Sequence, residues 1–128
     1  MLIVQKYGGS SVADAERVLN VAKRIMRTRM EGHDVVVVLS AQGKTTDGLI
    51  AKAKEINHKP SRREMDMLLS TGEQQSVALM AMAISAIGGR AVSLNGSQVG
   101  IETTNTYSNA RIRTINTERI ENELEEGS

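Results

Sequence analysis

An α/β fold with a mainly parallel sheet flanked by helices is predicted by three features of this 128-residue chain. Strand-like and helix-like segments alternate in the order β-α-β-α-α-β-β-α, a pattern that sets helices against the faces of a parallel sheet. The opening strand passes into a helix through the turn Gly8-Gly9-Ser10. A second run, Asp34-Val35-Val36-Val37-Val38-Leu39, is apolar and β-branched after its first residue, which suits an interior parallel strand covered on both faces.

Met1 to Val4 reads as a buried strand that leads into Gln5-Lys6-Tyr7-Gly8-Gly9-Ser10-Ser11. Ser11 and Asp14, three positions apart, read as a capping box opening a helix. Glycines that bare backbone N–H groups, a helix N-terminus carrying about +0.5 of a charge and the ammonium of Lys6 together suit a phosphate. A plain tight βα turn with a solvated lysine accounts for the same heptad. From Ser11 to Glu31 the apolar residues Val12, Ala15, Val18, Leu19, Ala22, Ile25 and Met26 recur with helical period, leaving Arg17, Lys23, Arg24, Arg27 and Arg29 on the other faces. That basic face could meet a nucleotide or an acidic partner, but a solvated face is the preferred reading. Gly32 is placed as the C-terminal cap, ahead of the valine-rich strand.

That strand runs into Ser40-Ala41-Gln42-Gly43-Lys44-Thr45-Thr46-Asp47, a second polar loop before a helix over residues 47–56. Gly43-Lys44-Thr45 resembles the tail of a Walker A motif, but the glycine required five residues earlier is Val38, inside the strand. It is not a P-loop. Pro60 closes a connector, and Ser61 with Glu64 forms a second capping-box candidate for a helix through Leu69. Ser70-Thr71-Gly72-Glu73 breaks the apolar pattern, after which Val77 to Ile87 reads as a largely buried helix whose Met80 and Met82 fill the core. Gly88-Gly89 ends it. Residues 90–94 read as a third strand, 97–108 as a surface loop or short irregular strands, 110–115 as a short strand, and 118–126 as an acidic helix.

Sixteen basic and fifteen acidic side chains leave a net charge of +1, too little to draw nucleic acid or an anionic membrane surface. Two aromatic residues, Tyr7 and Tyr107, provide no base-stacking platform. No cysteine is present, which excludes disulfides and thiolate metal sites, and two scattered histidines argue against zinc. A 40% hydrophobic content suffices for a core. No run approaches the ~20 apolar residues of a membrane span. No secretory signal precedes the first strand, so cytoplasm is the expected location.

Taken in order, the segments Val4 to Val12, Val35 to Asp47, Arg63 to Glu73 and Asn109 to Ile112 resemble the N-terminal part of the catalytic domain of an aspartate kinase, in the amino acid kinase family. The resemblance spans essentially the whole chain. It implies a carbamate kinase-like fold and transfer of the ATP γ-phosphate to the β-carboxylate of L-aspartate, the first step toward lysine, threonine and methionine. Two anions must meet in such a reaction, so fixed positive charge and backbone donors are needed where charge spreads over the moving phosphoryl group. Carried over by position, Lys6 stabilises the transition state, the backbone of Gly8, Gly9 and Ser10 cradles phosphate, and Ser40 sits at the same mouth, where open α/β sheets gather ligands. Thr46 hydrogen-bonds aspartate and Glu73 pairs with its α-ammonium. Read without the family, Thr46 is a helix N-cap and Glu73 a first-turn acid favourable to the helix dipole.

The family usually has methionine at Gln42 and a basic residue at Gln74. Its members continue past the equivalent of Gly127 into a nucleotide-binding part that holds ATP and Mg²⁺, and usually into ACT regulatory domains, neither of which this sequence contains. The resemblance therefore implies little kinase activity from these 128 residues alone. An uncovered sheet edge and apolar face imply a homo-oligomer. Kinases of glutamate, N-acetylglutamate or UMP share the Lys-x-Gly-Gly start, but the Ser40–Asp47 loop with Thr71-Gly72-Glu73 favours aspartate. A non-catalytic aspartate-binding or assembly module is the alternative from another functional class.

Overall fold

Residues 1–128 are described by a computed structural model. Strand β1 (Leu2–Tyr7) and strand β2 (Asp34–Leu39) pair in parallel, in register from Leu2 opposite Asp34 to Tyr7 opposite Leu39. Between them run a 3₁₀ turn (Gly9–Val12) and helix α1 (Ala15–Met30), which form the crossover a parallel pair requires. Helices α2 (Thr45–Ile56) and α3 (Arg62–Ala86) follow. Strands β3 (Ile101–Thr103) and β4 (Ile112–Ile115) make a separate antiparallel ribbon, and α4 (Glu118–Glu125) closes the chain.

Alternation along β1 decides where the core lies. Ile3, Gln5 and Tyr7 turn toward α1 and α3, while Leu2, Val4 and Lys6 turn away. Val12, Val18, Val21, Ala22 and Ile25 meet Leu39, Met80, Ala83 and Ile84 in one buried cluster, with Tyr7, Val35 and Val37 packed on it. The opposite face is bare: Leu2 is 56% exposed, Val4 63% and Val38 47%. The expectation that β2 is covered on both faces is thus corrected. All of its helical cover comes from one side.

Helix boundaries follow the caps. Asp14, not Ser11, caps α1 by accepting from the Arg17 amide at 2.9 Å, and Ser11 belongs to the 3₁₀ turn instead. A short side-chain acceptor at this position stabilises a helix by about 1 kcal/mol. Gly32 ends the helix as expected, at φ 92°. Arg29 ties the end of α1 to β2, its Nη1 2.6 Å from Asp34 Oδ1. Helix α2 begins at Thr45, two residues before the sequence reading placed it.

The largest correction concerns residues 70–73. They do not separate two helices; α3 runs unbroken for 25 residues, capped by the Ser61 hydroxyl. Ser70 and Thr71 donate back to the carbonyls of Met67 and Leu68, so their hydroxyls are satisfied inside the helix. Gly72 is buried where a neighbour comes close. Residues 90–94 differ as well. They run beside Val35, Val36 and Val37 along an apolar cavity of about 180 Å³ without forming a hydrogen-bonded ladder, so they are not a strand.

Candidate functional site

The carboxyl ends of β1 and β2 open into two loops that lock together. The Ser40 amide donates to the Tyr7 carbonyl at 3.2 Å, and the Gly43 amide donates to the Gly9 carbonyl at 2.9 Å. A Cβ at Gly9 would lie 2.5 Å from the Ala41 carbonyl oxygen, so only glycine lets these backbones approach this closely. Gln42 Nε2 donates to the Val12 carbonyl at 2.9 Å, fastening the second loop to the 3₁₀ turn. At this position, where the family usually has methionine, the amide acts as a structural clasp.

Helix α3 enters the same knot through Gly72. A Cβ there would sit 3.0 Å from the Ala41 Cβ and 3.5 Å from Thr45 Cγ2. One glycine from the first loop and one from α3 therefore grip Ala41 from two sides. Thr46 follows Thr45, and Glu73 follows Gly72, so both expected substrate contacts neighbour residues of that junction in the chain.

Lys6 lies next to last in β1, exposed, opposite Val38 in register and facing away from α1. Gly8 and Ser10 are exposed, Gly9 and Ser40 half-buried. Gly8 has open space around it, with nothing within 4 Å of where a Cβ would stand. A phosphate can reach the backbone there. Thr46 is half-buried in the first turn of α2 and is not its cap; Lys44 holds the cap position, with no side-chain bond. Glu73 is exposed in the middle of α3, so it is no first-turn acid and the helix dipole gives no reason for it.

Tyr7 backs this junction from the core side. Its hydroxyl donates to Gln5 Oε1 at 2.9 Å, and Gln5 Nε2 donates to Thr28 of α1 at 3.0 Å. Burial pushes the Tyr7 phenol above its usual range, and the Arg24 guanidinium partly opposes that shift. Carboxylates are sparse. No three His, Cys, Asp or Glu side chains gather anywhere in the structure to hold a metal ion.

Residues 1–128 match the family model described as the amino acid kinase family. The chain belongs to that family. Among individual amino acid kinases, it is 54% identical over 126 residues to an aspartokinase of Bacillus sp. (strain MGA3), covering 98% of this chain and 31% of that protein. It is 55% identical over 127 residues to the aspartokinase of Geobacillus stearothermophilus, covering 99% of this chain and 31% of that one. The solved aspartate kinase from Synechocystis superposes with a TM-score of 0.85 at 50% identity, over 99% of this chain and 20% of the other. The chain thus spans about a third of the length of the curated relatives and a fifth of the solved one.

The loop contacts explain which parts of the site a sequence exposes. Gly8-Gly9 stands out by composition, whereas Gly72 reads as a break in a helix. What marks Gly72 as part of the site is its contact with Ala41, thirty-one residues away in the chain.

Proposed function

We propose that this chain supplies the aspartate-holding part of an ATP:L-aspartate 4-phosphotransferase, and that its 128 residues by themselves have negligible kinase activity. Lys6 offsets the charge of the transferring phosphoryl group, the backbone at Gly8, Gly9 and Ser10 with Ser40 seats the phosphates, and Thr46 and Glu73 hold L-aspartate. One observation carries the reading: the Gly9 turn, the Ala41–Gly43 loop and Gly72 of α3 interlock in a single knot at the carboxyl ends of two parallel strands. Ligands of open α/β sheets collect at such ends. ATP brings the phosphoryl group. The residues of this chain offer its phosphates backbone donors and one ammonium, but they offer Mg²⁺ no carboxylate cluster. On this reading the nucleotide-binding part, the metal site and any ACT domains belong to polypeptide beyond the third of the relatives' length matched here.

Separate calorimetric titrations with L-aspartate and ATP test the proposal. Aspartate is expected to bind, and Glu73→Gln to weaken it about tenfold by removing a charge-assisted pair. Undiminished aspartate binding in Glu73→Gln refutes the substrate assignment. ATP-dependent aspartyl phosphate formation above background refutes the claim of inactivity. Binding of aspartate with no measurable ATP binding favours a non-catalytic aspartate-binding module.

The bare face of Leu2, Val4 and Val38, beside a β1 strand paired on one edge only, leads us to propose further that the isolated chain self-associates. Light scattering at tens of micromolar is expected to report a dimer or larger species, and Val4→Lys to shift it toward monomer. A monomeric parent chain refutes this.

A further inference from the structure

The geometry points to a second anion site, along the arginine stripe of α1, that takes a linear condensed phosphate such as tripolyphosphate. Arg17, Asn20, Arg24 and Arg27 recur at three- and four-residue intervals and fall on one stripe of the helix. Together with Ser10 and Ser11 they line a shallow, open depression, six of whose seven lining residues are polar or charged. Two elements therefore converge on one hollow: hydroxyl donors from the turn and guanidinium donors from the helix.

Two of the three charges there are uncompensated. Arg17 comes only within 4.0 Å of Asp14, while Arg24 and Arg27 have no carboxylate within that distance. Glu16 in the first turn of α1 and Glu31 just past its end form no ion pair with the stripe. Arginine presents several N–H groups in a fixed fork suited to phosphate oxygens, which separates this stripe from a merely solvated lysine face. Its length selects the ligand. At a rise of ~1.5 Å per residue, Arg24 and Arg27 stand about 4.5 Å apart along the axis and Arg17 a further ~10.5 Å back, so a chain of phosphates engages more of the stripe than one orthophosphate does.

This hollow shares Ser10 with the proposed phosphate seat but not Lys6. Gln5 and Tyr7 turn toward α1, so Lys6 between them projects from the opposite face of the strand. The inference does not depend on the proposed kinase reading.

Titrating the 128-residue chain with sodium tripolyphosphate at low ionic strength tests it. Saturable binding is expected, weakened by added salt and at least about tenfold tighter than for orthophosphate. The exposed pair Arg24→Gln/Arg27→Gln is expected to weaken it about tenfold or more while leaving the far-UV circular dichroism unchanged. Should the double variant not fold, each single substitution is expected to weaken binding on its own. Absence of saturable binding, or indifference to both arginines, overturns the second site.

Discussion

Replacing Gly9 by alanine tests the knot most directly. The added methyl lands 2.5 Å from the Ala41 carbonyl oxygen and 3.2 Å from the Gly43 nitrogen, both main-chain atoms that cannot swing aside. Overpacking against rigid neighbours costs about 1–3 kcal/mol. Pushing the loops apart also strains the Gly43-to-Gly9 hydrogen bond at 2.9 Å, whose loss costs about 1 kcal/mol more. Gly9→Ala should therefore destabilise by about 2–4 kcal/mol. Only 12 of 128 residues are buried, so a loss of that size removes much of the stability such a core supplies. Gly8→Ala is the built-in control. Gly8 has φ −78° and ψ 172°, which alanine adopts freely, and nothing stands within 4 Å of its Cβ position. It should be neutral or stabilise by about 0.4–1 kcal/mol through the unfolded chain. Urea unfolding followed by circular dichroism reads both, with a common m-value showing that the native state is preserved. The reasoning fails if Gly9→Ala falls within about 0.5 kcal/mol of the parent, or if the two substitutions cost the same.

Two further outcomes follow from named contacts. The raised Tyr7 phenol means that the folded chain holds this proton more tightly than the unfolded chain. Its contribution is therefore full below about pH 10 and is lost as pH rises through the folded-state value; Tyr7→Phe should flatten that alkaline decline in urea midpoints, and an unchanged slope refutes the assignment. Asp66 of α3 accepts from the Ser108 amide at 2.7 Å and from the Ser108 hydroxyl at 3.1 Å, pinning the loop between β3 and β4 to the helix. Asp66→Ala should speed hydrogen exchange at the Ser108 amide at least about tenfold, the loss of a hydrogen bond to a charged group, while the core amides of α1 keep their protection.

Much of this molecule is legible from local pattern. The valine run of β2, the apolar stripe of α1, the left-handed glycine that ends it and the serine that caps α3 all act within a few residues of themselves. Near neighbours in the chain supply the cause of each, so spacing and residue type suffice. Lys6-Tyr7-Gly8-Gly9 declares itself in the same way, because paired glycines at a strand end mark a turn by composition alone.

The misreadings share one physical origin. Ser70-Thr71-Gly72 is a poor stretch of helix by propensity, yet α3 continues through it because both hydroxyls find carbonyls in their own helix and because glycine at 72 lets the helix pack closely on Ala41, where a side chain would press. Asp14 rather than Ser11 caps α1 because residues 9–12 first form the 3₁₀ turn that meets Gln42 and Gly43. Residues 90–94 carry strand-like composition but stand apart from β2 across an apolar cavity, and a strand exists only with the partner that completes its hydrogen bonds. Sequence by itself determined the α/β class, the parallel strand pair with the helix between its strands, the glycine turn and the family. Tertiary structure alone decided which glycines are contacts rather than breaks, which sheet face lies bare and how the two loops lock, because each depends on atoms brought together from distant parts of the chain, at separations that no local period encodes.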